Sequence, residues 1–493
     1  MIMHSASTNH LGLAPRGFDA ARLDGLFAGI LPRLAHMRDC ASFARDLAAS
    51  FGLDHGELLA RAALLHDIGY APVLRRFDYH PLDGAKFLEE SGEHPWVVEG
   101  VLRHSRAERK AGSIPGVREH YDRRPPLPEA AWLVRGVTIS DWRANGVGGR
   151  ASFGQRMHDI ASRNPDKPEK IRRARIMVDE VRDDFFQWAQ MMAGAQRPLP
   201  WIFCDVDNTL IRPGRTLSPE TRRAVRAWTS AGGRFSLATG KHPRSIAPLA
   251  EELGVGGTHI TANGACLLEN GRAVVLKDLG AAADELSSRL LSLGLPIALY
   301  RENSIEAGAT WTSALNDLFD VYGEIRPESG SQQGPVLKIL CIVDNGDAER
   351  EAYLRDLAAA AGVDVCRSDR HFLEFIPAGG DKGQAMRAVT ERAGWPLLHT
   401  LALGDSENDK TLFAQCGACA VVDDAQEDIR LGADWIIPSC TADGVGRLLN
   451  AVRAVGGWAG MSSAFRVSGA WPLSRCPVPR YPGGCRNPVI ARD

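Results

Sequence analysis

Two short stretches carry most of the side chains that could do chemistry. In WIFCDVDNTL, residues 201 to 210, an apolar run ends in Asp205 and Asp207, followed by Asn208 and Thr209. Like charges leaving the core together repel, and each is costly to bury unpaired, so a divalent cation is the natural compensator. A polar turn capping the next helix would use the same residue types. Further along, RFSLATGK supplies Thr239 and Gly240, GGDKGQAM places Lys382 at a predicted helix start, and LALGDSENDKTLF supplies Asp405, Asn408 and Asp409. Two acids, a hydroxyl, a lysine and a second acidic cluster are what phosphoryl transfer through an aspartyl phosphate requires. The second stretch is LLHDIGYAP, where His66 and Asp67 are adjacent near the end of an apolar helix. Neighbouring helical side chains diverge by only about 100°, so both can reach one metal ion, although a helix cap beside a satisfied imidazole would look the same. His36 in RLAHMRD, His80 in DYHPLDGAKFL, His104 in VVEGVLRHS and Asp141 in VTISDW are further candidate ligands.

The elements that must position these residues fall into two textures. At 493 residues the chain exceeds what one hydrophobic core serves, so at least two domains are expected. Residues 18 to about 190 read as helical: FARDLAASFG and ELLARAALLHDIG carry apolar residues three and four apart, each closed by glycine. The mixed-charge run KPEKIRRARIMVDEVRDDFFQWAQMM predicts a long helix with one apolar face. After GAQRPLP, short apolar runs (WIFCDVD, RFSLATG, HITANGA, LKILCIVD, FLEFIP, LLHTLALGD, GACAVV) alternate with helical patterns. Such alternation predicts an α/β domain with a parallel sheet whose ligands gather at the carboxyl ends of the strands. Domains are expected at 18–195 and from 198 to 454, flanked by an extension over 1–17 and a Gly/Pro-rich, aperiodic tail over 455–493.

Composition narrows the function classes. The chain is 44% hydrophobic and 24% charged with a formal net charge of -2, which describes a globular protein without general affinity for nucleic acid or anionic membrane. No apolar run reaches the roughly 18 residues of a membrane span, and the start lacks the pattern of a signal peptide, so a cytoplasmic protein is expected. The ten cysteines read mainly as small buried hydrophobes, and Cys416 and Cys419 form a CxxC without a second pair nearby.

The order of Asp205, Asp207, Thr239, Lys382, Asp405, Asn408 and Asp409 resembles the haloacid dehalogenase superfamily over about residues 200 to 450. The resemblance implies a Rossmann-like α/β core over 198–274 and 376–454, with an α/β cap inserted over 275–375. ANGA at 262 to 265 and Glu374 point to the Cof-type, or IIB, subgroup, mostly phosphatases of sugar phosphates and similar small metabolites. It implies Asp205 as nucleophile, Asp207 as acid and base, and Mg2+ held by Asp205, Asp207 and Asp405. Thr239, Gly240 and Lys382 would bind the phosphoryl group, with Asn263, Asn408 and Asp409 around them. Lys241 departs from the arginine that many relatives carry after the Thr-Gly pair.

The histidine pattern over residues 20 to 145, with HDIG followed by HPLDGA, is similar to the HD superfamily of metal-dependent phosphohydrolases, an all-α bundle. It implies a shared site of His36, His66, Asp67 and Asp141, with His80 and His104 added in two-metal members. Imidazole with carboxylate suits one or two transition-metal ions such as iron or manganese. Ser105 stands where some relatives have a second histidine. The expected ligands are a small phosphorylated metabolite and, at the HD site, a nucleotide. Two readings of the helical half stay open: a second phosphohydrolase, or a metal- or nucleotide-binding module that regulates the phosphatase.

Overall fold

The computed structural model describes residues 17–193, 199–327, 334–454 and 456. The extension expected over 1–17 (Gly17 apart) and the tail expected over 455–493 (Gly456 apart) lie outside the described residues. The chain divides into two compact units, Met1–Arg150 with Asp166–Asp184, and Ala151–Pro165 with Phe185–Asp493.

The first unit is all helical. Helix Leu31–Phe51 starts with Pro32 in its first turn and ends at Gly52, whose φ of 60° provides a left-handed cap. It buries Leu34, Met37, Ala41, Ala44 and Leu47 on one face, and full burial of each leucine contributes about 2 kcal/mol. Helices Gly56–Leu65 and Ala131–Asp141 pack on it, Pro95–Arg103 packs on those two, and His80–Glu90 packs on Pro95–Arg103. The glycine of HDIG is a steric requirement: a Cβ on Gly69 would lie 2.1 Å from the His80 carbonyl oxygen. That close approach seats the turn after His66 and Asp67 against the start of the helix carrying His80.

The second unit holds the sheets. In chain order the strands are β1 (Trp201–Cys204), β2 (Phe235–Leu237), β3 (Thr258–Thr261), β4 (Cys266–Glu269), β5 (Arg272–Val275), β6 (Ile297–Arg301), β7 (Ile305–Ala307), β8 (Val336–Ile342), β9 (Asp364–Asp369), β10 (Phe372–Ile376), β11 (Thr400–Gly404), β12 (Ala418–Val422) and β13 (Trp435–Ile437). The core sheet is parallel in the order β13-β12-β11-β1-β2, its five strands almost wholly buried, as a sheet covered on both faces must be. The run HITANGA lies beside β2, with the parallel bridge Ala238↔Ile260 and the Thr239 amide donating to the Ile260 carbonyl at 3.0 Å, and β3 also opens an antiparallel ladder with β4 and β5. An antiparallel sheet in the order β7-β6-β8-β10-β9 forms the inserted cap.

The structural division falls earlier than the composition change near residue 195. Helix Phe153–Ser162, opened by a Ser152–Gln155 capping box, belongs to the second unit, where Ser152 Oγ donates to the Gly432 carbonyl at 2.5 Å. Gly154 lies so close to Ala433 that a Cβ there would sit 2.2 Å from the carbonyl oxygen. The mixed-charge run is one helix, Pro168–Ala193, with Val181, Phe185 and Phe186 buried; its residues from Phe185 on belong to the second unit, within which Phe186 stacks on Trp435. No described helix is long and apolar enough to cross a membrane.

Candidate functional site

In the α/β unit the reactive residues gather at the carboxyl ends of three adjacent strands. Asp205 follows β1, Thr239 follows β2 and Asp405 follows β11. Asn208 takes a left-handed φ of 60°, which turns the chain sharply after the two acids, and Thr209 Oγ1 donates to Asp405 Oδ1 at 2.9 Å. Lys382 begins helix Lys382–Arg392 behind its cap Asp381, and its fully buried Nζ donates at 2.7 Å to both Asp205 Oδ1 and Asp409 Oδ1. Asp409 Oδ2 in turn accepts from the Asp405 and Ser406 amides at 3.0 and 3.2 Å, which shapes the acidic loop. Gly404 is needed there, since a Cβ would lie 2.4 Å from the Asp409 carboxyl carbon.

Charge in this cluster is out of balance. One carboxylate oxygen each from Asp205, Asp405 and Asp409 lies within 4.8 Å of the others, against the single ammonium of Lys382. Burial pushes the Asp205 carboxyl up to about 7; Lys382 opposes the rise and Asp409 and Asp207 add to it. Asp405 is driven well above the usual carboxylate range by burial, then by Asp205 and Asp409. Lys382 stays charged despite its burial, because Asp205 and Asp409 outweigh the lost hydration. Crowded hard oxygens short of positive charge are a donor set that fits Mg2+.

Asp207 is also raised by burial, with Lys241 acting against the shift. Lys241 Nζ sits 3.2 Å from Asp207 Oδ2 and also donates to the Tyr322 carbonyl of the cap. This is what the departure from arginine does here: a buried ammonium joins the acid to the cap. Thr239 is buried with its Oγ1 accepting from the Lys241 amide at 3.2 Å. Asn263 relays between regions, accepting from Asn408 Nδ2 at 3.0 Å and donating to Glu374 Oε2 at 2.9 Å. Lys338, which the sequence reading did not single out, pairs with that same Glu374 oxygen. Its only signal was a lysine in the middle of the apolar strand VLKILCI.

In the helical unit all six expected ligands converge. Asp67 lies between two groups: Oδ2 is 3.5 Å from His66 Nε2 and 4.0 Å from His36 Nε2, while Oδ1 is 3.3 Å from His80 Nε2 and 3.7 Å from His104 Nε2. Asp141 Oδ1 is 3.2 Å from His36 Nε2 and 3.9 Å from His66 Nε2. His36, His66 and His104 donate from Nδ1 to the carbonyls of Asn145, Ala63 and Val101 at 2.9, 2.8 and 2.7 Å. Those bonds place a proton on Nδ1 and turn each Nε2 towards the centre, as metal-ligating histidines require. Against burial, Cys40 and Asp141 raise His36 well above the ordinary imidazole value. His66 Nε2 is buried and has no hydrogen-bond partner, a cost that a metal ion would remove. Burial lowers the affinity of His66 for a proton, against Asp67 and Asp141, and takes His104 down to about 3. Asp67 is held well below the usual range although burial works against it, because His66, His80 and Arg33 surround it. The donor set fits one or two transition-metal ions.

Three neighbours refine this cluster. Arg33, missed in the sequence, donates to Asp67 Oδ2 at 2.7 Å and lies 4.5 Å over the Tyr70 ring; its place three residues before His36, on the same helical face, was the available signal. Cys40 Sγ lies 3.6 Å from His36 Nε2 and 3.9 Å from Nδ1. Near-equal distances set the sulfur beside the ring and off the Nε2 lone-pair axis, so it packs there and is not counted as a ligand. Ser105, at a left-handed φ of 48°, donates to Asp141 Oδ2 at 2.5 Å, so it touches a candidate ligand without serving as one.

Comparison with known proteins agrees with this division. Residues 202–449 match the family model for haloacid dehalogenase-like hydrolases, and residues 33–141 match that for the HD domain. A 5-amino-6-(5-phospho-D-ribitylamino)uracil phosphatase of Bacillus subtilis (strain 168) is 25% identical over 248 residues, covering 50% of this chain and 93% of the relative. An HMP-PP phosphatase of Serratia proteamaculans (strain 568) is also 25% identical, over 46% of this chain and 84% of its own. A solved haloacid dehalogenase-like hydrolase from Bacteroides thetaiotaomicron is 24% identical, covering 51% of this chain and 98% of that one, with a TM-score of 0.46. The chain therefore belongs to the haloacid dehalogenase-like hydrolases, and carries an HD domain ahead of that hydrolase.

Proposed function

We propose that the α/β unit is a magnesium-dependent phosphatase of small phosphorylated metabolites, sugar phosphates foremost, working through an aspartyl phosphate. The observation that carries this is the convergence of Asp205, Lys382, Asp405 and Asp409 at the carboxyl ends of β1 and β11, with Asp207 beside them. Asp205 attacks phosphorus, Asp207 gives its proton to the leaving oxygen and then takes one from the water that hydrolyses the acyl phosphate. Burial raises the Asp207 carboxyl against the pull of Lys241, the direction that favours the proton the first of these steps needs. Thr239 and Lys382 hold the phosphoryl oxygens, and bound Mg2+, held by Asp205, the Asp207 carbonyl and Asp405, would neutralise charge between phosphate and nucleophile. The cavity between core and cap is only about 40 Å³, room for a water or two, so a metabolite must enter with the cap displaced. The curated relatives named as phosphatases of phosphorylated small molecules support this substrate class. A panel of metabolite phosphate esters, assayed with Mg2+ and with chelator, tests it; activity indifferent to chelator, or retained in Asp205→Asn, rules it out.

For the helical unit, we propose a transition-metal phosphohydrolase with a nucleotide as candidate substrate. The orphaned His66 Nε2 and the Asp67 carboxylate set between two histidine pairs favour it. The regulatory alternative has its own support in Arg33, which occupies Asp67 Oδ2 as a counter-ion. Nucleotide hydrolysis by the metal-loaded Asp205→Asn chain separates the two, because only the first predicts turnover.

A further inference from the structure

We infer that the phosphatase site selects esters whose leaving alcohol is neutral or cationic and rejects those that carry a second anion. This rests on the phosphatase reading above and adds the charge class of its substrate. In-line displacement puts the leaving oxygen opposite the nucleophile, so with Asp205 at the core the alcohol must extend towards the cap. The cap side of the cavity offers three carboxylates, Glu324, Asp369 and Glu374, and one ammonium, Lys338, beside the Tyr300 and Tyr322 rings.

Lys338 is committed to Glu374, whose carboxylate also accepts from Asn263 and Ser368. That leaves Glu324 and Asp369. Glu324 accepts from the His242 amide, the Ser245 hydroxyl at 2.5 Å and the Tyr300 hydroxyl at 3.0 Å. Asp369 accepts from the Tyr322 hydroxyl at 2.9 Å and the His371 amide at 3.4 Å. These uncharged donors orient the two carboxylates, and the one ammonium that Glu324 also feels, Lys241, is shared with Asp207. On the core side Lys241 and Lys382 are engaged with Asp207 and with Asp205 and Asp409, so cation is concentrated where the phosphoryl group sits. Glu324 is buried, so little water screens a like charge brought against it. A carboxylate or second phosphate on the alcohol would face Glu324 and Asp369 unpaired, which is discrimination by repulsion.

The test uses the full chain with Mg2+ and three pyranose esters of one shape: glucosamine 1-phosphate (cationic), glucose 1-phosphate (neutral) and glucuronic acid 1-phosphate (anionic). Competition against p-nitrophenyl phosphate hydrolysis ranks all three whether or not each turns over. The expected order has the anionic ester weakest by roughly 10-fold or more against the neutral one. Asp369→Asn should narrow that gap several-fold while p-nitrophenyl phosphate turnover stays within about 2-fold, since Asp369 lies outside the phosphoryl machinery and asparagine keeps the acceptor for Tyr322. Equal competition by all three, or preference for the glucuronate ester, overturns the charge selection and leaves the phosphatase reading intact. No Mg2+-dependent hydrolysis of p-nitrophenyl phosphate overturns that reading and this one with it.

Discussion

In the α/β unit three carboxylates crowd one buried lysine, whereas in the helical unit four imidazoles surround two carboxylates. Both clusters are buried and metal-ready, yet they carry opposite imbalances. The first lacks positive charge and pushes Asp205 and Asp405 towards the protonated state. The second lacks nothing in charge but leaves lone pairs unspent, above all on His66. By ligand chemistry a hard dication suits the first donor set and a borderline transition metal the second. Lys382 gives the α/β cluster a permanent internal counter-ion; in the helical cluster the partly exposed Arg33 supplies a permanent charge to Asp67 and the titratable His36 faces Asp141. The α/β unit should therefore fold without its metal, and the helical unit should depend on one.

The contrast breaks most severely at Asp205. Asp205→Asn keeps the volume and removes the nucleophile, so Mg2+-dependent phosphatase turnover should fall by at least about 10^4-fold. Elemental analysis should find the transition-metal content of the same variant unchanged. Retained turnover would move the chemistry elsewhere.

Lys382→Met comes next. It leaves Asp205 and Asp409 facing each other without their shared ammonium, so activity should drop about 10^3-fold and stability by about 3 kcal/mol. Saturating Mg2+ should restore part of the thermal midpoint of this variant. A midpoint insensitive to Mg2+ means the ion does not sit among these carboxylates.

His66→Ala probes the other side of the comparison. It should empty the shared metal site, lower the thermal midpoint of the helical unit and abolish the effect of chelator on that midpoint. His80→Ala and His104→Ala should cost only the second ion, because His36, His66 and Asp141 remain. Metal stoichiometry by elemental analysis decides, and an untouched stoichiometry in His66→Ala removes this residue from the ligand set.

How much of this was legible in the sequence differs between the units for a physical reason. Reactive residues at the ends of strands are announced by a change of texture: Asp205, Thr239 and Asp405 each close an apolar run, and all three meet at adjacent strand ends. The six candidate ligands of the helical unit were legible by type and spacing, and they converge. Residues that act through tertiary approach were not. Lys338 and Glu374 stand 36 residues apart on strands joined only by the cap sheet, and nothing local marks their pairing. The path of Ala151–Pro165 into the second unit depends on Gly154 meeting Ala433, a contact across 280 residues for neighbouring Ser152. Strand β3 was legible as a strand beside β2, but its second partner was not, because HITANGA also pairs with the antiparallel ladder that follows it.

The smallest expected effect is the most specific to the imbalance itself. With its carboxyl pushed up to about 7 by burial, metal-free Asp205 is about one-tenth ionised at pH 6 and about nine-tenths at pH 8. Mg2+ takes the ionised form, so its apparent affinity should rise about 10-fold across that range, with close to one proton released per ion at the lower pH. The sign for folding runs the other way in chelator. A carboxyl whose folded pKa is raised contributes stability that is fully present below its ordinary value of 3.8 and is lost as pH climbs through 7. Metal-free α/β unit should thus lose thermal midpoint between pH 4 and 7 from this group, and Mg2+ should return it above 7. Calorimetric Mg2+ titration in buffers of different ionisation enthalpy reads the proton directly. Affinity flat from pH 6 to 8 with no proton released means Lys382 keeps Asp205 ionised throughout, and the α/β cluster would then be balanced without its metal after all.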